Sequence, residues 1–168
     1  TRCYYHINVC NNILASLEDI AIKDEEDKLG HHKVAGEAYF IRAYLYFFLA
    51  NLYGKPYDDN AATNPGVPVK LSENVEDVKY TRNSVKDVYT QILADLKQAR
   101  THLSQYTKKQ KSYYRADSVA ADLLTARVYL YMQNWDKAID IFMGCEFKFT
   151  NNSPKNEIDI IINIGTRL

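Results

Sequence analysis

The sequence predicts an all-α protein, and three observations carry that expectation. Apolar residues recur at helical spacing, most plainly at Val85, Val88, Tyr89, Ile92, Leu96, Ala99 and Leu103. Helix breakers and starters stand between such segments: Gly54 and Pro56 close one, and Ser84 with Asp87 opens another as a capping box. Ala43 and Tyr46 repeat the spacing of Ala126 and Tyr129, and Trp135, Ala138 and Phe142 follow the second pair. Small residues admit a neighbouring helix and aromatics fill the gap beside them, which is the logic of tetratricopeptide-like antiparallel helix pairs. About five such helices are expected over residues 1–146, with one long loop, and residues 147–168 form an irregular or short-strand tail.

The first helix spans 3–22, with Ile7, Cys10, Leu14, Leu17 and Ala21 on one face. "KDEEDKLGHH" reads as a charged, solvated connection. The second helix is "GEAYFIRAYLYFFLANLYGKP", where 13 residues lie between Glu37 and Asn51 and Arg42 falls among them. A membrane span needs about 20 apolar residues and tolerates a central arginine poorly. A helix apolar on nearly every side is instead one enclosed by other helices. Arg42 then requires a carboxylate, from Glu18, Asp19 or Asp95. Three of the four prolines fall in the following loop, residues 54–80, which has no helical period. The third helix follows Ser84, and "SQYTKKQKSYY" is a polar link. A fourth helix runs from about Asp117 to Met132 and a fifth from Asn134 to about Cys145. Thr125 departs from the repeat, standing where a large apolar residue is usual. "EIDIIINI" reads as a lone strand.

Function classes narrow quickly. Acidic and basic residues balance at 21 each, so no field attracts nucleic acid. Cys3, Cys10 and Cys145 make no disulfide framework, and "TRCYYHIN" is no signal peptide, which suits a processed or excised piece. His31 and His32 are adjacent and share no helix face, and His6 and His102 stand isolated, so no metal ligand set is expected. Glu25 and Glu26 sit in a charge run, and neither a nucleophile motif nor a phosphate-binding glycine loop is present. The chain reads as a non-enzyme without cofactor. Of the 14 tyrosines, Tyr44, Tyr46, Tyr89 and Tyr129 lie at packing positions. A ligand surface is best sought in the loop, where Tyr57, Asp58, Asp59, Asn60 and Asn64 join an aromatic face to hydrogen-bonding groups, although such a loop is by default a solvated connection.

Four phrases in order carry a resemblance: "YYHINVCNNIL", with Tyr4, Ile7, Asn11 and Leu14; "GEAYFIRAYLYFFLANLYGKP"; "TRNSVKDVYTQILADLKQA"; and "RADSVAADLLTARVYLYMQNWDKAI". Over residues 4–145 the chain resembles the SusD-like (RagB/SusD) outer-membrane nutrient-binding lipoproteins of Bacteroidetes. The resemblance implies a tetratricopeptide-like scaffold, lipid-anchored in the full-length protein on the outer face of the outer membrane. It implies capture of an oligosaccharide or other nutrient and delivery to a SusC-like TonB-dependent transporter. Members are several times longer, so this chain corresponds to the N-terminal helical part. Arg42 and Arg127 recur in the family phrases and are expected to hold helices together through carboxylates. The alternative is a tetratricopeptide module that binds a protein partner in its concave groove.

Overall fold

A computed structural model describes residues 2–74, 80–107 and 114–152, with side chains described up to Cys145. The helices are α1 (Arg2–Glu18), α2 (Glu25–Tyr53), α3 (Val85–Gln105), α4 (Ser118–Tyr131) and α5 (Trp135–Asn152). Each packs on its neighbour in chain order, most extensively α2 on α3. Among the described residues there is no strand, only an isolated bridge between Pro65 and Ser84.

Three boundaries differ from expectation. α1 stops at Glu18, and most of the supposed connection "KDEEDKLGHH" is the start of α2. Asp24 caps that helix by accepting from the Asp27 amide at 2.8 Å, and Glu25, Glu26 and Asp27 fill its first turn, where carboxylates favour the helix dipole. α5 continues through residue 146 to Asn152. "EIDIIINI" lies outside the described residues. The Ser84 cap is as predicted, its hydroxyl accepting from the Asp87 amide.

Arg42 is buried and its partner is Asp95. Arg42 Nε and Nη2 donate to the two carboxylate oxygens at 2.8 and 2.7 Å, and Nη1 donates to Asn11 Oδ1 at 2.9 Å. Gln91 Nε2 adds a third hydrogen bond to the carboxylate. Burial opposes the charge on Arg42, but the hydrogen bonds and charge of Asp95 outweigh it and hold its pKa above the ordinary value. This knot joins α1, α2 and α3. Around it pack Ile7, Ala43, Tyr46, Leu49, Val88, Ile92 and Leu96.

The enclosure of α2 is only one-sided. Ile41, Tyr44, Phe48 and Leu52 lie at helical spacing and are exposed, because the neighbouring helices cover the face that carries Arg42, Ala43 and Tyr46. Tyr44, at 49% exposure, is therefore no packing residue. Ala126 and Ala138 are buried as the repeat demands, and Tyr129 is half-buried with Lys137 Nζ 5.2 Å from its ring centre. Trp135 and Phe142 do not fill the helix-pair gap; with Ile139 and Met143 they form an exposed stripe on α5. Arg127 is exposed too, and the α3–α4 ion pair is made instead by Arg100 Nε and Asp122 at 2.5 Å. Thr125 satisfies its hydroxyl by donating to the Ala121 carbonyl at 2.7 Å.

Residues 54–74 and 80–84 are not a solvated loop. The segment straps across α1, α2 and α3, burying Ala61 and Val67. Tyr46 Oη donates to the Lys70 carbonyl at 2.7 Å and accepts from the Lys70 amide at 2.8 Å. Asn11 Nδ2 donates to the carbonyls of Lys70 and Ser72, Tyr4 Oη to that of Pro68, and Arg82 to those of Gly66 and Tyr53. Backbone groups left bare by the absence of secondary structure are thus met by side chains of the helices and of the strap itself.

α2 and α3 approach closely at Gly36. A Cβ there would lie 2.6 Å from Leu103 Cγ and 3.1 Å from Leu103 N, whereas one at Gly30 would meet nothing within 4 Å. Gly30→Ala should therefore stabilise by about 0.5–1 kcal/mol through helix propensity. At Gly36 the same gain is opposed by overpacking worth about 1–3 kcal/mol, so Gly36→Ala should lower the melting temperature. Equal stabilisation by both alanines would mean that the helices are not this close.

Candidate functional site

The five loop residues singled out from the sequence do come together, at the corner where the chain leaves α2. Their side chains face different tasks. The Tyr57 ring is half-buried, edge-on to Tyr89 with centroids 5.1 Å apart, and its carbonyl accepts from Gln133 Nε2. Asp58 Oδ1 accepts from the Asn60 amide and from Asn64 Nδ2, both at 2.9 Å, which closes the turn on itself. The Asn64 carbonyl accepts from the Val85 amide and ties the corner to the start of α3. Asp59 and Asn60 are exposed. The corner is thus a rigid platform whose outward polar groups are Asp59 and Asn60, with the Tyr57 ring beside them.

A concavity of about 770 Å³ opens between α3, α4 and α5 and is lined by Leu93, Lys97, Arg100, Asp122, Thr125 and Tyr129 among others. It is the groove of the helix stack, floored by the Arg100–Asp122 pair.

His102 is not isolated. It meets His31 and His32, and one nitrogen from each ring lies within 4.8 Å of the others. The sequence hid this because the two segments are far apart in the chain. Arg42 opposite Asp95 sets an antiparallel register that brings His102 opposite Ala35, one turn from the histidine pair. Burial pushes the Cys10 thiol up to about 11, which makes it a packing residue rather than a nucleophile. Among the described residues no helix is long and apolar enough to cross a membrane.

Comparison with known proteins places this architecture. Residues 1–130 match a family model described as "Starch-binding associating with outer membrane", of SusD-like type. A SusD-like protein P2 from Formosa agariphila is 32% identical over 120 residues, which is 71% of this chain and 21% of that protein. Among solved structures, a putative sugar binding protein from Bacteroides vulgatus superposes with a TM-score of 0.76 at 31% identity, over 85% of this chain and 31% of its own. A SusD superfamily protein from the same species gives 0.78 at 26% identity, over 90% and 33%. The chain therefore spans between about a fifth and a third of the length of these relatives. The match takes in α1, α2, the strap, α3 and nearly all of α4. This chain belongs to the SusD-like family.

Proposed function

We propose that the chain is the helical scaffold of a non-catalytic surface protein that captures an oligosaccharide, or another nutrient, for a TonB-dependent outer-membrane transporter. The observation that carries this is the family match across residues 1–130, supported by structural relatives described as sugar-binding. In the full-length protein a lipid anchor holds it on the outer face of the outer membrane. The exposed apolar stripes of α2 and α5 suit a scaffold on which further polypeptide packs, since surfaces of this kind mark interaction sites. The strap corner is the ligand-facing candidate within this chain, with Asp59 and Asn60 donating or accepting from hydroxyls and Tyr57 offering an apolar face.

Native electrophoresis through gels containing soluble starch and a panel of other glycans tests the corner. Asp59→Ala with Asn60→Ala should reduce retardation by the glycan that binds while leaving the melting temperature within about 1 °C, because surface substitutions are near neutral. Tyr57→Ala is the poorer probe, since loss of its packing on Tyr89 would also lower stability. Unchanged retardation of the double variant would remove the corner from the site. A protein-binding module is the second reading, favoured by the α3–α5 groove and the uncovered Trp135, Ile139 and Phe142.

A further inference from the structure

We propose that His31, His32 and His102 form a binding site for a divalent transition-metal ion, best matched by Zn²⁺, across the crossing of α2 and α3. The proposal does not depend on glycan capture. Its first support is geometric. His32 Nδ1 and His102 Nδ1 lie 3.0 Å apart, and the ligand atoms of all three rings fall within 4.8 Å of one another. A tetrahedral zinc with bonds of about 2.0–2.1 Å to imidazole nitrogen needs nitrogen pairs roughly 3.3 Å apart. The His32–His102 pair is already close to that spacing, and a His31 nitrogen lies within 4.8 Å of both. Only one proton fits between the two Nδ1 atoms, so one of them presents a bare lone pair. A metal ion would replace that proton and satisfy both nitrogens at once.

The surrounding structure holds the rings in place. Gly36 lets Leu103 approach, which draws the last turn of α3 against α2 one turn from His31 and His32. Tyr39 stacks on His102 with centroids 5.9 Å apart, and His31 Nε2 lies 3.3 Å from the Leu17 carbonyl at the end of α1. Such outer contacts orient metal-binding imidazoles. Burial and the neighbouring imidazoles lower the pKa values of His32 and His102. Lys28 acts on His32 in the same direction, and Glu25 opposes it. His32 and His102 are thereby favoured in the neutral form that binds metal. All three are partly exposed, which leaves an entry path and room for water as a fourth ligand. With nitrogen ligands and neither thiolate nor carboxylate in the set, the site suits zinc, nickel or copper rather than calcium or magnesium.

Isothermal titration of the untagged chain with Zn²⁺ at pH 7.5 tests this. One equivalent should bind, and saturation should raise the melting temperature, because the site exists only in the folded state. His102→Gln and His32→Gln should each weaken binding by about 100-fold or more while circular dichroism stays helical. His6→Ala, which leaves the cluster intact, should bind as the parent does. Absence of stoichiometric binding by the parent overturns the proposal. So does retention of full affinity by both glutamine variants, which would place the ion elsewhere. If either variant proves unfolded, Co²⁺ bound to the parent decides instead: a visible spectrum of low-coordinate cobalt with nitrogen ligands supports the site, and that of the hexaaquo ion overturns it.

Discussion

Asp95→Ala should cost about 3–5 kcal/mol, because it leaves the Arg42 guanidinium buried without its counter-ion. In a chain of 168 residues that corresponds to a fall in melting temperature of roughly 6–20 °C. Asp95 is 2% exposed and Arg42 6% exposed, so water cannot take the place of the lost partner. The loss also releases Gln91 and strips Asn11 of its hold on a fixed guanidinium, and so loosens the junction of three helices. Removing both charges, with Arg42→Met and Asp95→Ala together, should cost less than Asp95→Ala alone, since no buried charge is then left without its partner. The double-mutant cycle, read by denaturant unfolding, separates the coupling from the packing. A cost below 1 kcal/mol for Asp95→Ala would mean that the pair is solvated.

Tyr46→Phe is the second change expected to matter, at about 1–3 kcal/mol. The ring stays and its packing with it; only the hydroxyl goes. That oxygen is donor to the Lys70 carbonyl and acceptor from the Lys70 amide. The carbonyl retains Asn11 Nδ2, whereas the amide loses the acceptor that Tyr46 supplied. The strap should therefore loosen as well as the global fold, with faster tryptic cleavage after Lys70 under native conditions. If stability falls but cleavage does not quicken, the hydroxyl serves the core rather than the strap.

The helices were legible in the sequence because each carries its own period and its own punctuation. The α3 stripe from Val85 to Leu103 and the Ser84 cap needed no tertiary information. The start of α2 was missed because Glu25, Glu26 and Asp27 look like a wet charge run unless Asp24 is recognised as a cap. Arg42 announced a buried partner, and only the packing could choose Asp95 from the three carboxylates open to it. Asn11 stood out only within the family phrase "YYHINVCNNIL", and its 2% exposure and bond to Arg42 needed the packing to appear. Tyr44, Trp135 and Phe142 were misplaced for one reason: an aromatic at helical spacing marks an apolar face, but not whether anything covers it. The strap and the histidine cluster were hidden because both are made by contacts between segments distant in sequence, through side chain to backbone bonds or a helix crossing with no local signature. The five corner residues are adjacent in sequence and so were easy to group, yet the division between turn-forming Asp58 and Asn64 and outward Asp59 and Asn60 needed coordinates.

The central claim is that this helical stack serves nutrient capture beside a TonB-dependent transporter. Gentle detergent extraction of outer membranes, followed by affinity purification of the protein that carries this chain, tests it most directly. A TonB-dependent barrel should co-purify in stoichiometric amount, and the complex should retain a glycan-binding activity. Recovery of the protein free of membranes, bound to a soluble partner instead, would contradict it and favour the protein-binding module.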